Sequence, residues 1–161
     1  MLKSFIRFVF RTAYPLALLF WFVFRPKTAG AKVLVVSGDG VLLVKQSYTP
    51  DVWSLPGGRI EKGETPEEAA RRELVEECAI EPTDEPMRLL GSVLYTKEYK
   101  RDTVFLFACE IASQEPPTLD MTELMGYQWF PLAILPNNLG SIARDAVELY
   151  QRKTTPRTNS K

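Results

Sequence analysis

The chain has 161 residues, 45% of them hydrophobic and 25% charged, which is enough for one α/β domain and too little for two. Its 20 basic and 20 acidic residues cancel, and a neutral chain argues against general nucleic-acid affinity through phosphate contacts. Histidine is absent, which excludes His-based zinc sites and Ser-His triads; the two cysteines, Cys78 and Cys109, lack CxxC spacing and read as packing thiols in a reducing, cytoplasmic setting.

The neutrality hides an asymmetry. Lys3, Arg7, Arg11, Arg25, Lys27 and Lys32 all precede the first acid, Asp39, so residues 1–38 carry +6 and the remainder −6. Phe5 to Phe24 is strongly apolar, but Arg7, Arg11 and Pro15 interrupt it. The longest uncharged stretch, Thr12 to Phe24, would reach about 20 Å as a helix against a hydrocarbon core of ~30 Å, too short to span alone. Lys3, Arg7 and Arg11 recur at every fourth residue and make a basic stripe, and Tyr14 and Trp21 suit a membrane interface. The expectation for residues 1–27 is an apolar, basic helix whose residues 2–25 attach to a membrane surface, peripherally on the inner face. A tilted or snorkelling span, packing on the domain or a partner, and a cleaved signal with Ala29-Gly30-Ala31 as its site are the competing readings.

The folded body is expected over residues 28–152. Val33 to Val36 and Val41 to Val44, separated by Ser37-Gly38-Asp39-Gly40, predict a hairpin. A turn at Tyr48 to Pro50 leads to Trp53 and to an irregular loop marked by Pro56, Gly57, Gly58 and Gly63, whose backbone can approach a ligand closely. Thr65 as N-cap, Pro66 in the first turn and Glu68 completing a Thr-x-x-Glu capping box start a helix. Leu74, Val75 and Cys78 give it a greasy side, and Glu73, Glu76 and Glu77 an acidic side to present. Pro82 and Pro86 are expected to stop it. Arg88 to Thr96 and Thr103 to Glu110 read as strands joined by a charged loop, Lys97 to Asp102; Tyr127 to Phe130 is a further strand, closed by Pro131. Ile142 to Tyr150 has helical spacing, and a polar, disordered tail is expected over 153–161.

Glu73, Glu76 and Glu77 are three and four positions apart, so on a helix their carboxylates lie within one turn. Such crowding is unfavourable unless a cation sits among them, and a hard divalent ion with oxygen ligands, Mg²⁺ or Mn²⁺, is the natural occupant. The bland alternative is a solvated face with i,i+4 ion pairs such as Arg72 with Glu76.

The segment from Gly58 to Ile80 resembles the Nudix box, G-x5-E-x7-R-E-U-x-E-E-x-G-U, with Gly58, Glu64, Arg72, Glu73, Leu74, Glu76, Glu77 and Ile80 in the fixed positions. Ala79 replaces the last glycine, at a helix end where a left-handed residue is wanted, so a local adjustment is expected there. Trp53, Leu55, Pro56, Gly57 and Gly58 resemble the W-x-L-P-G-G approach to that box. The resemblance implies an α/β/α sandwich around a mixed sheet, and a hydrolase cleaving the phosphoanhydride bond of a nucleoside diphosphate linked to another moiety. It implies Glu73, Glu76 and Glu77 with the Gly57 carbonyl as metal ligands, the same three acids as catalytic groups, and Gly58, Glu64 and Arg72 as the scaffold of the site. Glu110, Glu115 and Glu123 are candidates for a carboxylate from outside the box. Substrate contacts are expected from Tyr48, Trp53, Tyr95 and Arg101. Two other functions fit the same sequence: a nucleotide-binding regulator that does not cleave, and a membrane-associated interaction protein.

Overall fold

A computed structural model describes residues 27–83, 85–97 and 100–154, apart from the side chains of residues 27, 96, 97, 100 and 101. The helix expected before residue 27 lies outside these residues, as does the tail beyond Thr154. No helix among the described residues is long and apolar enough to cross a membrane.

Strands β1 (Lys27–Ser37) and β2 (Gly40–Gln46) form the expected hairpin, with Val36 opposite Val41 and Ser37 opposite Gly40. Its tip needs a left-handed residue, which Gly38 supplies at φ 59°. Beyond those two pairs the strands diverge, and the short β3 (Trp53–Ser54) takes the freed edge of β2. The other edge of β2 carries β6 (Leu124–Pro131), antiparallel. β1 in turn pairs in parallel with β5 (Lys100–Glu110), and β5 antiparallel with β4 (Arg88–Lys97). The result is a mixed six-stranded sheet in the order β3-β2-β1-β5-β4, with β6 on β2.

Both faces of the sheet are covered, which is why β1 and β2 read as unbroken apolar runs. Ala31, Val33 and Val35 meet Ala69, Ala70, Leu74 and Cys78 of α1 (Pro66–Cys78) on one face. Leu34 and Val36 meet Ala143, Ala146, Val147 and Tyr150 of α2 (Ser141–Thr154) on the other. Leu34, Leu42, Leu43 and Leu74 are wholly buried, each burial contributing roughly 1.5–3 kcal/mol. This is the α/β/α sandwich around a mixed sheet that the Nudix resemblance implies.

Three boundaries differ from expectation. The charged loop shrinks, because β4 and β5 stay paired as far as Lys97 opposite Lys100; a ladder is a backbone property, and β1 supports it from the other side with Lys27 opposite Arg101. Helix α1 ends at Ala79, ahead of either proline. Helix α2 continues through Lys153 and Thr154, where Arg152 and Lys153 complement the dipole and Lys153 Nζ donates to the Leu89 carbonyl at 3.0 Å.

Candidate active site

Helix α1 is fixed at both ends by its own sequence. Thr65 caps it in an extended conformation, its Oγ1 accepting from the Glu68 N–H at 3.2 Å while the Glu68 carboxylate accepts from the Thr65 N–H at 2.7 Å. At the other end Ala79 takes φ 51° and ψ 33°, with its N–H donating to Val75 at 2.9 Å. The expected adjustment therefore does not occur: alanine adopts the glycine conformation, at a cost of about 1 kcal/mol, and the packing of Ile80 into the α1-side core holds it there.

Where β1 and β2 diverge, the glycine loop lies along β1. The Val33 N–H donates to Pro56 at 2.9 Å, Ala31 to Gly58 at 2.9 Å, and Ile60 to Ala29 at 3.0 Å. At Gly57, with φ 124°, only glycine fits this approach. A Cβ on Gly57 would strike the Ala31 carbonyl and stand 2.9 Å from Lys32 Cα, and one on Gly58 would enter the Glu73 carboxylate.

That loop meets the acids of α1. The Gly57 N–H donates to Glu77 Oε2 at 2.7 Å, and Glu77 is only 4% exposed. The expectation that Glu77 belongs to a solvent-facing acidic side is corrected here: it follows Ala70 and Leu74 at helical spacing and shares the buried stripe with Cys78. Burial pushes its carboxyl up to about 7, against the opposing pull of Lys32 and the Gly57 N–H. The same surroundings push the Cys78 thiol up to about 12, in keeping with a packing role.

Arg72 is the organiser of the remaining acids. Its guanidinium grips Glu64 with two bonds, Nε to Oε1 at 2.7 Å and Nη2 to Oε2 at 3.1 Å, and donates to the Arg59 carbonyl at 3.1 Å. From Nη1 it also donates to Glu73 and to Glu76, each at 2.9 Å. These bonds hold the Glu64 carboxyl below the usual carboxylate range. The scaffold pairing of Glu64 with Arg72 and the i,i+4 contact of Arg72 with Glu76 are thus both present.

The donor set of Glu73, Glu76, Glu77 and the Gly57 carbonyl consists of hard oxygens, which suits Mg²⁺ or Mn²⁺. In this conformation the donors do not converge, and among the described residues no three carboxylate or thiol side chains stand as a metal-holding group. The physical reason is visible: Arg72 draws Glu73 and Glu76 together on one side, and Glu77 is turned to the Gly57 N–H on the other. Beside Glu73 opens a cleft lined by Arg59, Ile60, Glu61 and Lys62, two cations and one further acid.

Of the three carboxylates considered outside the box, Glu123 belongs to this neighbourhood, acting electrostatically on Lys32, Tyr48 and Glu77. Glu110 instead binds Arg88 at 3.0 Å and the Tyr150 hydroxyl at 3.1 Å, and Glu115 binds Ser113 at 3.1 Å. Tyr48 stands within the field of Glu77 and Glu123, with its ring exposed. Trp53 does not reach the acids: it packs edge-on against Phe130 at 5.2 Å on the α2 side, with Lys45 over its ring. Tyr95 likewise packs on the α2-side core, and the Arg101 side chain is outside the described set. Sequence reasoning missed Lys32 altogether as a site residue. Its Nζ donates to the carbonyls of Leu55, at 3.1 Å, and of Gly57.

Comparison with known proteins agrees with this architecture. The family model described as "NUDIX domain" matches residues 26–152. A Bacillus subtilis (strain 168) protein named "Putative 8-oxo-dGTP diphosphatase" is 36% identical over 117 residues, covering 68% of this chain and 74% of its own. An RNA pyrophosphohydrolase of Rhizobium meliloti (strain 1021) is 32% identical over 135 residues, covering 71% and 81%. Among solved structures, a MutT NUDIX hydrolase from Burkholderia pseudomallei superposes with a TM-score of 0.69 at 26% identity, covering 77% of this chain and 98% of that one. With a family match over most of its length and relatives of this identity, the chain belongs to the Nudix family of hydrolases acting on pyrophosphate bonds.

Proposed function

We propose that the protein hydrolyses the phosphoanhydride bond of a nucleoside diphosphate linked to another group, with Mg²⁺ or Mn²⁺ as cofactor. The observation that carries this reading is the junction of α1 with the glycine loop: Glu77 on the Gly57 N–H, Glu73 against Gly58, and Arg72 holding Glu64, Glu73 and Glu76. Glu73, Glu76, Glu77 and the Gly57 carbonyl would hold the ion, which supplies charge neutralisation of the diphosphate and acidification of a bound water. The chain's own groups do the rest. Arg72 keeps the acids within reach of the loop, and Arg59 and Lys62 offer positive charge along the adjoining cleft to the phosphates. In the ion-free site burial pushes the Glu77 carboxyl up to about 7, and a bound cation would hold it ionised. Glu76, the exposed member of the set, Glu77 and, from outside the box, Glu123 are the candidates for the base that activates water.

The relatives' names suggest oxidised nucleoside triphosphates and triphosphate-capped RNA ends as substrates to try first. A panel of those compounds, nucleotide sugars, dinucleotides and canonical triphosphates, run with Mg²⁺ and with EDTA, tests the reading. Binding of a nucleotide without turnover on any member would instead support a non-cleaving regulator. Residues 1–27 we read as an address placed before a hydrolase domain of 28–152, on the basis of their basic stripe and apolar run. Flotation of the full chain, but not of one lacking residues 1–26, with anionic vesicles is the expected result; equal behaviour of both would contradict it.

A further inference from the structure

Lys32 has no assigned place in the chemistry above, yet its position is costly. It is the one charged residue in the run from Ala31 to Val36, and it is half-buried there. An ammonium set into such a run is tolerated only if it is paired and hydrogen-bonded. The partners are those of the proposed cation site. Nζ donates to the carbonyls of Gly57 and, at 3.1 Å, of Leu55, and Glu77, Glu73 and Glu123 act on it electrostatically. Gly57 is therefore engaged at both of its backbone groups, its N–H by the Glu77 carboxylate at 2.7 Å and its carbonyl by Lys32. The glycine that brings these groups together cannot be replaced without a collision against β1 at the Ala31 carbonyl, next to Lys32.

We propose that Lys32 is a built-in counter-cation of this site: its ammonium occupies the Gly57 carbonyl and balances Glu77 and Glu73 before a divalent ion arrives, and the ion binds by displacing Lys32 Nζ from that carbonyl. The inference rests on the reading of Glu73, Glu76, Glu77 and Gly57 as the ion's ligands. Two consequences follow from charge alone. A metal ion without substrate must compete with a tethered cation, so the free site binds metal weakly. A polyphosphate arriving with the ion offers the displaced ammonium a new acceptor, so Lys32 ties metal loading to substrate and becomes a positioning residue for a phosphate oxygen.

The test is Mn²⁺ binding by the full-length protein, read by electron paramagnetic resonance with the metal alone and no turnover. Lys32→Met removes the charge and keeps the stem; Lys32→Gln removes the charge and keeps a donor to the carbonyl, serving as the second variant should the first fail to fold. Both are expected to bind Mn²⁺ at least about tenfold more tightly than the parent, equivalent to about 1.4 kcal/mol. Lys153→Met, which removes a lysine bonded to Leu89 on the other side of the sheet, is expected to change affinity by less than about twofold, since screening removes distant charge. Unchanged or weaker binding in both Lys32 variants, with Mn²⁺ bound by the parent and lost in Glu77→Gln, would overturn the role of Lys32 while leaving the metal reading intact. Absence of Mn²⁺ binding in parent and variants alike would overturn both.

Discussion

Replacing Glu77 by glutamine should make the metal-free protein more stable while removing the group on which its proposed chemistry depends. Glu77 is buried, and its carboxyl is held at about 7 in place of its ordinary 4.5. Between those values the folded state keeps a proton that the unfolded chain has released, so stability is highest below 4.5 and falls as pH rises through about 7. Above that, charging Glu77 costs the folded state up to about 3 kcal/mol. Glutamine keeps an oxygen for the Gly57 N–H and never charges, but it withdraws the attraction that Lys32 enjoys, so the expected net gain at pH 8 is about 1–2 kcal/mol. Urea unfolding in EDTA should place the midpoint of Glu77→Gln about 0.5–1 M above that of the parent at pH 8, with little difference at pH 4.5. An equal or lower midpoint at pH 8 would refute the argument that the burial cost of Glu77 exceeds what Lys32 and the Gly57 N–H offset.

Arg72→Ala leaves Glu64, Glu73 and Glu76 without their shared partner, and about 2 kcal/mol of stability should go with it, a Tm lower by about 4–8 °C in a metal-free melt. Ala79→Gly relieves the only non-glycine left-handed residue among those described and should raise Tm by about 2–4 °C, with activity unchanged. Gly58→Ala drives a methyl group into the Glu73 carboxylate, and Mn²⁺ affinity should fall about 10–100-fold in a protein that still folds.

The parts legible in the sequence are those with local causes. The hairpin at Gly38-Asp39 follows from turn chemistry between two apolar runs, and the start of α1 from Thr65, Pro66 and Glu68 acting within one turn. The grip of Arg72 on Glu64 was accessible because the box spacing puts both on one side of the loop-helix junction. What escaped depends on distant backbone. Lys32 finds its partners 23 and 25 positions away, and both are carbonyls, which carry no side-chain signature. The continuation of β4 and β5 past the apolar residues depends on the first residues of β1, a pairing that no local pattern announces. Glu77 was a different kind of miss. Its place on the stripe of Ala70, Leu74 and Cys78 was present in the periodicity, but charge alone had assigned it to the solvent side. Trp53 shows the converse, an aromatic next to the glycine loop in sequence that turns to the opposite face and packs on Phe130.

The most direct test of the central claim is product analysis for the substrate panel with the parent and with Glu73→Gln, Glu76→Gln and Glu77→Gln, each checked for an intact fold. The account predicts that at least one compound is cleaved at its phosphoanhydride in the presence of Mg²⁺ or Mn²⁺ and not in EDTA, and that each substitution lowers the rate by about 100-fold or more. Turnover that persists in EDTA, or that survives all three substitutions unchanged, would contradict it.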